Sequence, residues 1–395
     1  MTLLISFGIL MAFGLVIFCT IRWWNMRLIG PNPQPLLVFV AILFTSGLDV
    51  GLIMFPLAWD FPLYADTEAN PSYAFTNPLA FEFGFWGFLI WAFYFLTAFY
   101  FCAIEPRVKF FEKPLVKVVN NVVIITTCAF TGSLFLIYLP YYLPQIGDGE
   151  TVVATFYVIV FAVILAASYS STDLKYVRIL SVGSSVMFGL LILGLWAYAG
   201  ISPGEFGASA SYLGGYFANL HRFVLPITEY HEFYLFWWFA WSIMIGQFTS
   251  RFVGGMKTQH MLAALMIIPS IPLAIWFSVL FYYWQNDIST AGLVNLAMVI
   301  VGTTFVINSL DSLIRLYTDN LNLTTERFGT WTYVAGNTAA LFILTLLFKS
   351  QWLQIEWIGA IVIGLYVGAV AFIVLRQRHV LRDAKGTYHK PALDL

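Results

Sequence analysis

Between Phe233 and Trp241 the chain reads Phe-Tyr-Leu-Phe-Trp-Trp-Phe-Ala-Trp. Trp237, Trp238 and Trp241 fall within five positions. A helix places Trp237 and Trp241, four apart, on one face. Indole is the best cation–π partner among side chains. Several indoles on one face would suit a quaternary ammonium group, which has no N–H to donate. The same run also suits an interfacial aromatic belt or plain packing. A second chemical feature is Asp49, within Thr45-Ser-Gly-Leu-Asp-Val-Gly-Leu52 and flanked by Gly47 and Gly51. An acid at membrane depth is costly and marks function by default. It could be the counter-charge for a cationic substrate, a Na⁺ ligand, a proton carrier, or a cap on a helix end. If it pairs with substrate, it favours a net cation over a zwitterion, whose carboxylate it would repel. Glu82 begins a later apolar stretch and reads as a solvated helix end or part of an entry funnel.

Other chemistries find little support. Cys19, Cys102 and Cys128 lie in apolar runs without CxxC or metal spacing, as small core residues do. A bis-histidine haem needs histidines inside helices, whereas His221, His231, His260, His379 and His389 fall at loops or segment ends. No HExxH, nucleophile elbow or Walker loop occurs. The chain therefore reads as a non-enzyme without a resident cofactor or metal. A quinone-binding subunit is not excluded by these residues.

The elements that must carry these residues follow from composition. The 395 residues are 60% hydrophobic and only 10% charged, too few charges to cover a water-soluble globule. That excludes a soluble enzyme and a nucleic-acid binder. Continuous rather than alternating apolar stretches argue for helices over a β-barrel. Eleven segments are long enough to span: Leu3–Ile21, Leu36–Ala58, Phe81–Ala103, Val116–Leu139, Val152–Ser168, Ile179–Ile201, Phe233–Ser250, Met261–Tyr283, Gly292–Leu310, Trp331–Phe348 and Ile355–Leu375. The first lacks a basic leader and reads as a retained helix. The longest connection, Ser202–Glu232, is expected to hold a short interfacial helix around Tyr212–Phe223. With alternate loops assigned inside, 17 of the 19 Lys and Arg lie on one side, and only Arg222 and Lys349 fall outside. The other loops are acidic, with Asp60, Asp66, Glu68, Asp148, Glu150, Glu229 and Glu232. The N-terminus is thus expected outside and the C-terminus in the cytoplasm of a plasma (inner) membrane. Arg107, Lys109, Lys113 and Lys117 read as topology signals and lipid headgroup contacts. Gly47, Gly51, Gly84 and Gly87 are placed where helices could be interrupted.

Four segments carry a family resemblance. The Phe233–Trp241 run, followed by Gly246 and Arg251, resembles the signature of the betaine/carnitine/choline transporters. Thr45–Leu52 resembles that family's glycine-rich stretch. Phe81-Glu-Phe-Gly-Phe-Trp-Gly-Phe-Leu-Ile-Trp91 resembles its second aromatic helix. Phe305-Val-Ile-Asn-Ser-Leu-Asp-Ser312 resembles its Phe-x-x-Thr-Ser-Ala-Asp-Ser motif. The resemblance implies an all-α leucine-transporter-type fold of five plus five inverted-repeat helices, with one extra N-terminal helix and about 11 in total. On that map residues 1–35 form a peripheral helix and cytoplasmic loop. Residues 36–201 are repeat one, 202–232 an external loop, 233–375 repeat two, and 376–395 a cytoplasmic tail. Substrate and ions would sit where the first helix of each repeat is interrupted.

Carried over by position, the resemblance implies a substrate cage of Trp237, Trp238, Trp241, Phe83, Phe88 and Trp91, with Asp49 near it. It implies an ion site at Gly47, Leu48, Phe305, Asn308 and Ser309. Asp311 would tie its helix to nearby backbone or to Arg251, Arg315 or Lys257, in a structural or gating role. Several positions depart from the family pattern. Asp49 stands for a usual Gly, Asn308 for a Thr, Leu235 for a Trp and Ile243 for a Pro. The function implied is secondary active transport of a small quaternary-ammonium compound of the choline, glycine betaine or carnitine type. Coupling would be to Na⁺ or H⁺. The partners expected are that substrate, the lipid bilayer and, as in family members, a homotrimer; no nucleic acid is expected. The competing reading is a transport-inactive sensor or a subunit of a membrane complex, including a redox or quinone one.

Overall fold

The computed structural model describes residues 1–48, 50–383 and 388–389. Asp49 therefore lies outside the described residues, as do Lys385 and Lys390. The fold is all-α, as a chain must be when lipid leaves each backbone group to find its partner inside the protein. Its main helices are α1 (Thr2–Arg22), α2 (Leu36–Gly47), α3 (Gly51–Ala65), α4 (Pro78–Val108), α5 (Pro114–Tyr142), α6 (Ala154–Ser170) and α7 (Leu174–Tyr198). After two short helices, α8 (Pro203–Ser211) and α9 (Gly214–Ala218), come α10 (Glu229–Thr249) and α11 (Thr258–Gln285). The last three are α12 (Leu293–Leu321), α13 (Thr330–Lys349) and α14 (Ile355–Arg376).

Among the described residues, eight helices are each long and apolar enough to cross a membrane, and the bent pair α2–α3 makes a ninth span. Helix α6 is apolar but shorter, at 17 residues. Helix α10 has 21 residues but carries Glu229, His231 and Glu232 in its first turn. Each of the eleven apolar segments read from the sequence thus falls on a helix or a helix pair. The chain is an integral membrane protein.

Two differences from expectation concern local structure. The connection at residues 202–232 holds the expected short helix, α9, within Tyr212–Phe223, and places a further one, α8, before it. Ser202 caps α8, accepting from the Glu205 N–H at 3.2 Å, while Glu205 accepts from the Ser202 N–H at 2.8 Å. Glu205 also accepts from the Tyr282 hydroxyl, which pins α8 to α11. The second difference lies in the helix breaks. The α2–α3 pair bends by 64° between Gly47 and Gly51, as the glycines suggested. Helix α10, however, runs unbroken. The other break is in α4, where Gly87 is extended and Phe88 adopts φ +47°.

Helix α12 is the central post, packed against α2, α5, α6, α7 and α10. Helix α10 lies between α4 and α14. On the side holding most basic residues, a small sheet ties three remote segments together. Strand β1 (Arg27–Ile29) pairs antiparallel with β2 (Gly254–Lys257) and parallel with β3 (Tyr388–His389). The ion pairs Arg251–Asp319 and Arg315–Asp319, both at 3.1 Å, sit at the ends of α10 and α12.

Without a hydrophobic drive between helices in lipid, close packing at small residues holds them together. A Cβ at Gly359 would run into the Phe236 carbonyl oxygen, and one at Gly246 would meet the backbone carbon of Thr97 at 2.7 Å. Gly359→Ala and Gly246→Ala should therefore each push α10 off a neighbour, at about 1–3 kcal/mol. A lowered thermal-unfolding midpoint in detergent would register this. Gly14→Ala, which meets open space, should leave the midpoint unchanged.

Candidate functional site

The two breaks lie side by side, and side chains from the surrounding helices satisfy the backbone groups they release. Leu48, extended at φ −119° and ψ 150°, has its carbonyl bonded by the Ser309 hydroxyl at 3.0 Å. The same hydroxyl lies 3.4 Å from the Thr45 carbonyl. Tyr94 donates to the Gly47 carbonyl at 2.9 Å, and the Trp276 indole donates to Leu52 at 2.8 Å. Tyr142 donates to the Met54 carbonyl at 2.9 Å. At the α4 break, the Trp238 indole donates to the Phe85 carbonyl at 2.8 Å, and the Trp91 indole to the Trp86 carbonyl at 3.2 Å. The Phe88 N–H donates to the Ser270 hydroxyl at 2.9 Å.

A buried tryptophan cluster occupies the space between the breaks. Trp237 and Trp238 stack with centroids 5.2 Å apart and planes 7° from parallel. Trp86 meets both edge-on, at 5.4 and 5.0 Å. Its ring lies over Gly51, where a Cβ would come within 2.9 Å of it. Trp91 and Tyr94 similarly cover Gly47. In this arrangement the indoles fill one another's space, so a ligand would have to part them. The indole N–H groups of Trp86, Trp237 and Trp241 are buried without an acceptor.

The expected residues thus divide. Trp237 and Trp238 come together, and Trp91 stands at the edge of the same break. Phe83 and Phe88 point elsewhere, packing against Tyr216 and Phe217 of the external connection. Trp86 was not singled out from the sequence, although it lies beside Gly87 in the aromatic motif. The residues expected to form an ion site lie along α12 and at the α2–α3 break. Asn308 accepts from Ser181 at 2.9 Å, Ser309 bonds to Leu48, and Phe305 packs on Phe44 and Phe188. The oxygens of Gly47, Leu48 and Asn308 thus each accept from a protein donor.

Three acids differ from their expected settings. Asp311 bonds to Ser170 at 2.6 Å and to its neighbour Ser312, which reaches Ser46 of α2. Arg251 and Arg315 pair instead with Asp319, two turns further along α12. Asp60, read as an outer-loop acid, is fully buried at the π-helical turn of α3 and accepts from Tyr230 at 2.6 Å and Tyr234 at 3.0 Å. Glu82 is fully buried rather than solvated. His231 is also buried, its imidazole stacked on Phe85 at 4.2 Å. Among the described residues, no group of His, Cys, Asp and Glu has the makings of a metal site.

Comparison with known proteins points the same way. No family model matches the chain. It is 24% identical to the glycine betaine transporter OpuD of Bacillus subtilis, over 69% of this chain and 60% of that protein. It is 24% identical to an uncharacterized transporter of Mycobacterium tuberculosis, over 69% of this chain and 53% of the other. To an uncharacterized transporter of Haemophilus influenzae it is 25% identical, over 73% of this chain and 49% of the other. The chain spans about half to three-fifths of the length of these relatives, all of which are named as transporters.

Proposed function

We propose that this protein is a divergent member of the betaine/carnitine/choline transporters and a secondary transporter of a small quaternary-ammonium compound. The observation that carries the reading is the buried cluster of Trp86, Trp237 and Trp238, set directly on two helix breaks. Interrupted helices are where transporters of this architecture hold substrate. A trimethylammonium group entering between the rings would meet π faces in place of the stack. The unsatisfied indole N–H of Trp237 would welcome an acceptor on the same ligand, such as a carboxylate or hydroxyl. Similarity to a glycine betaine transporter agrees with this ligand class. Phe83 and Phe88 would line the outer approach, against the external helices.

The rings pack tightly against one another. Uptake would need α4 and α10 to separate at the break, and the interaction of Asp311 with Ser170 and Ser312 would hold α12 steady. Arg251–Asp319 would act as a closing contact on the opposite face, since both groups are only about a quarter exposed. Five-plus-five repeat organisation and an outside N-terminus belong to the same proposal.

Uptake of labelled choline and glycine betaine into proteoliposomes tests it. Trp238→Leu and Trp241→Leu should each weaken binding by about 2 kcal/mol, the scale of a desolvated cation–π contact. Trp238→Phe keeps a ring but strands the Phe85 carbonyl. It should retain much of the affinity while losing about 1–3 kcal/mol of stability. Unchanged affinity in both leucine variants would place the substrate elsewhere. Binding without uptake would favour a sensor, and a stoichiometric quinone in the purified protein would favour a redox subunit.

A further inference from the structure

Asp60 and Glu82 form a buried carboxyl pair between α3 and α4, toward the end of each helix that leads into the connection at residues 66–77. The two carboxyls are not equivalent. Each oxygen of Asp60 accepts from a phenol, Tyr230 on one side and Tyr234 on the other. The Glu82 carboxyl faces the Asp60 carboxyl, the Tyr64 hydroxyl and the Trp86 indole N–H, all of them buried, yet neither Glu82 oxygen makes a hydrogen bond of good geometry. No Lys, Arg or His pairs with either acid among the described residues. The titratable groups facing the pair are Tyr64 from α3, Tyr73 from the connection, Tyr138 and Tyr142 from α5, and Tyr230 and Tyr234 from α10. His231 is turned to the Phe85 ring, and its Nδ1 accepts from the Ile227 N–H.

Two adjacent carboxyls in apolar surroundings do not both ionise without a cation between them. Asp60 already accepts from two phenols, which leaves the Glu82 carboxyl as the one whose oxygens are free to carry a proton. We propose that the Asp60–Glu82 pair is a proton-binding site, with the exchangeable proton on Glu82, and that this proton is the coupling ion of transport. The second half of the statement rests on the transporter reading, while the first half does not. Loading converts the Glu82 carboxylate to the acid and leaves the pair with one negative charge. Unloading leaves two negative charges side by side, a state tolerated only when water reaches them. Loss of the proton is thereby tied to opening of the α3–α4–α10 junction. Tyr234 carries the connection inward, because it bonds to Asp60 and packs on Trp86 and Trp237.

Infrared difference spectra of the full chain in lipid, acid minus alkaline, test the proton site without any transport assay. A carboxylic C=O band that shifts in D₂O should appear in the wild type and be lost in Glu82→Gln. In Asp60→Asn it should remain and titrate at more acid pH. Glu82→Asp, which keeps the chemistry, should restore a band if Glu82→Gln proves poorly folded. A band that survives unchanged in Glu82→Gln overturns the assignment. In proteoliposomes without Na⁺, an inward proton gradient should drive glycine betaine accumulation by the wild type. Glu82→Gln should lose that accumulation while keeping substrate exchange. Accumulation that needs Na⁺ and ignores the proton gradient overturns the coupling role. Absence of any trimethylammonium binding would overturn the transporter reading, yet the infrared result would still decide the proton site.

Discussion

Every feature of this site follows from one constraint. A helix broken inside a bilayer releases carbonyl and N–H groups that water cannot reach. Here the α2–α3 and α4 breaks release several such groups, and they are met by Tyr94, Tyr142, Trp276, Ser309, Trp238 and Trp91. These donors come from α4, α5, α10, α11 and α12, so the breaks also lock five helices into one arrangement. An unsatisfied buried carbonyl costs about 1–3 kcal/mol. The breaks are therefore rigid parts of the framework rather than loose loops.

The same economy explains why aromatic residues crowd this region. A tryptophan supplies a donor to a stranded carbonyl and a large apolar face at once. Trp238 does both, with its N–H on Phe85 and its ring on Trp237. On the proposed function, the packing role and the binding role of these rings would be one arrangement in two conformations. Closed, the indoles stack on one another; with a cation between them, the same faces would contact the ligand. The acid pair sits one layer further along, joined to the cluster by Tyr234.

Much of the fold was legible in the sequence because its causes are local. Long apolar stretches specify helices, and Gly47 with Gly51 mark a break that both glycines accommodate under aromatic rings. The break in α4 was legible only in part: Gly87 marks a place where a helix could be interrupted, but not which residue leaves the helix. Its stability depends on Trp238 and Ser270, far along the chain. Asp60 and Glu82 looked external because each lies near a loop. The setting of Asp60 depends on Tyr230 and Tyr234, some 170 residues later. The partner of Arg251 was misplaced for a similar reason. Asp311 and Asp319 share α12, separated by about 12 Å of helix rise, and only the tertiary register selects between them. Phe83 and Phe88 had the right residue type, but the direction of a ring beyond a break cannot be read from spacing.

The central claim is that a quaternary ammonium group binds between the indoles at the breaks. A cryo-electron microscopy map of the full chain in lipid, with and without glycine betaine, tests it most directly. The account predicts ligand density bounded by Trp86, Trp237 and Trp238, with the two stacked rings moved apart from their 5.2 Å separation. An unchanged stack at saturating ligand, or ligand density away from both breaks, would contradict it.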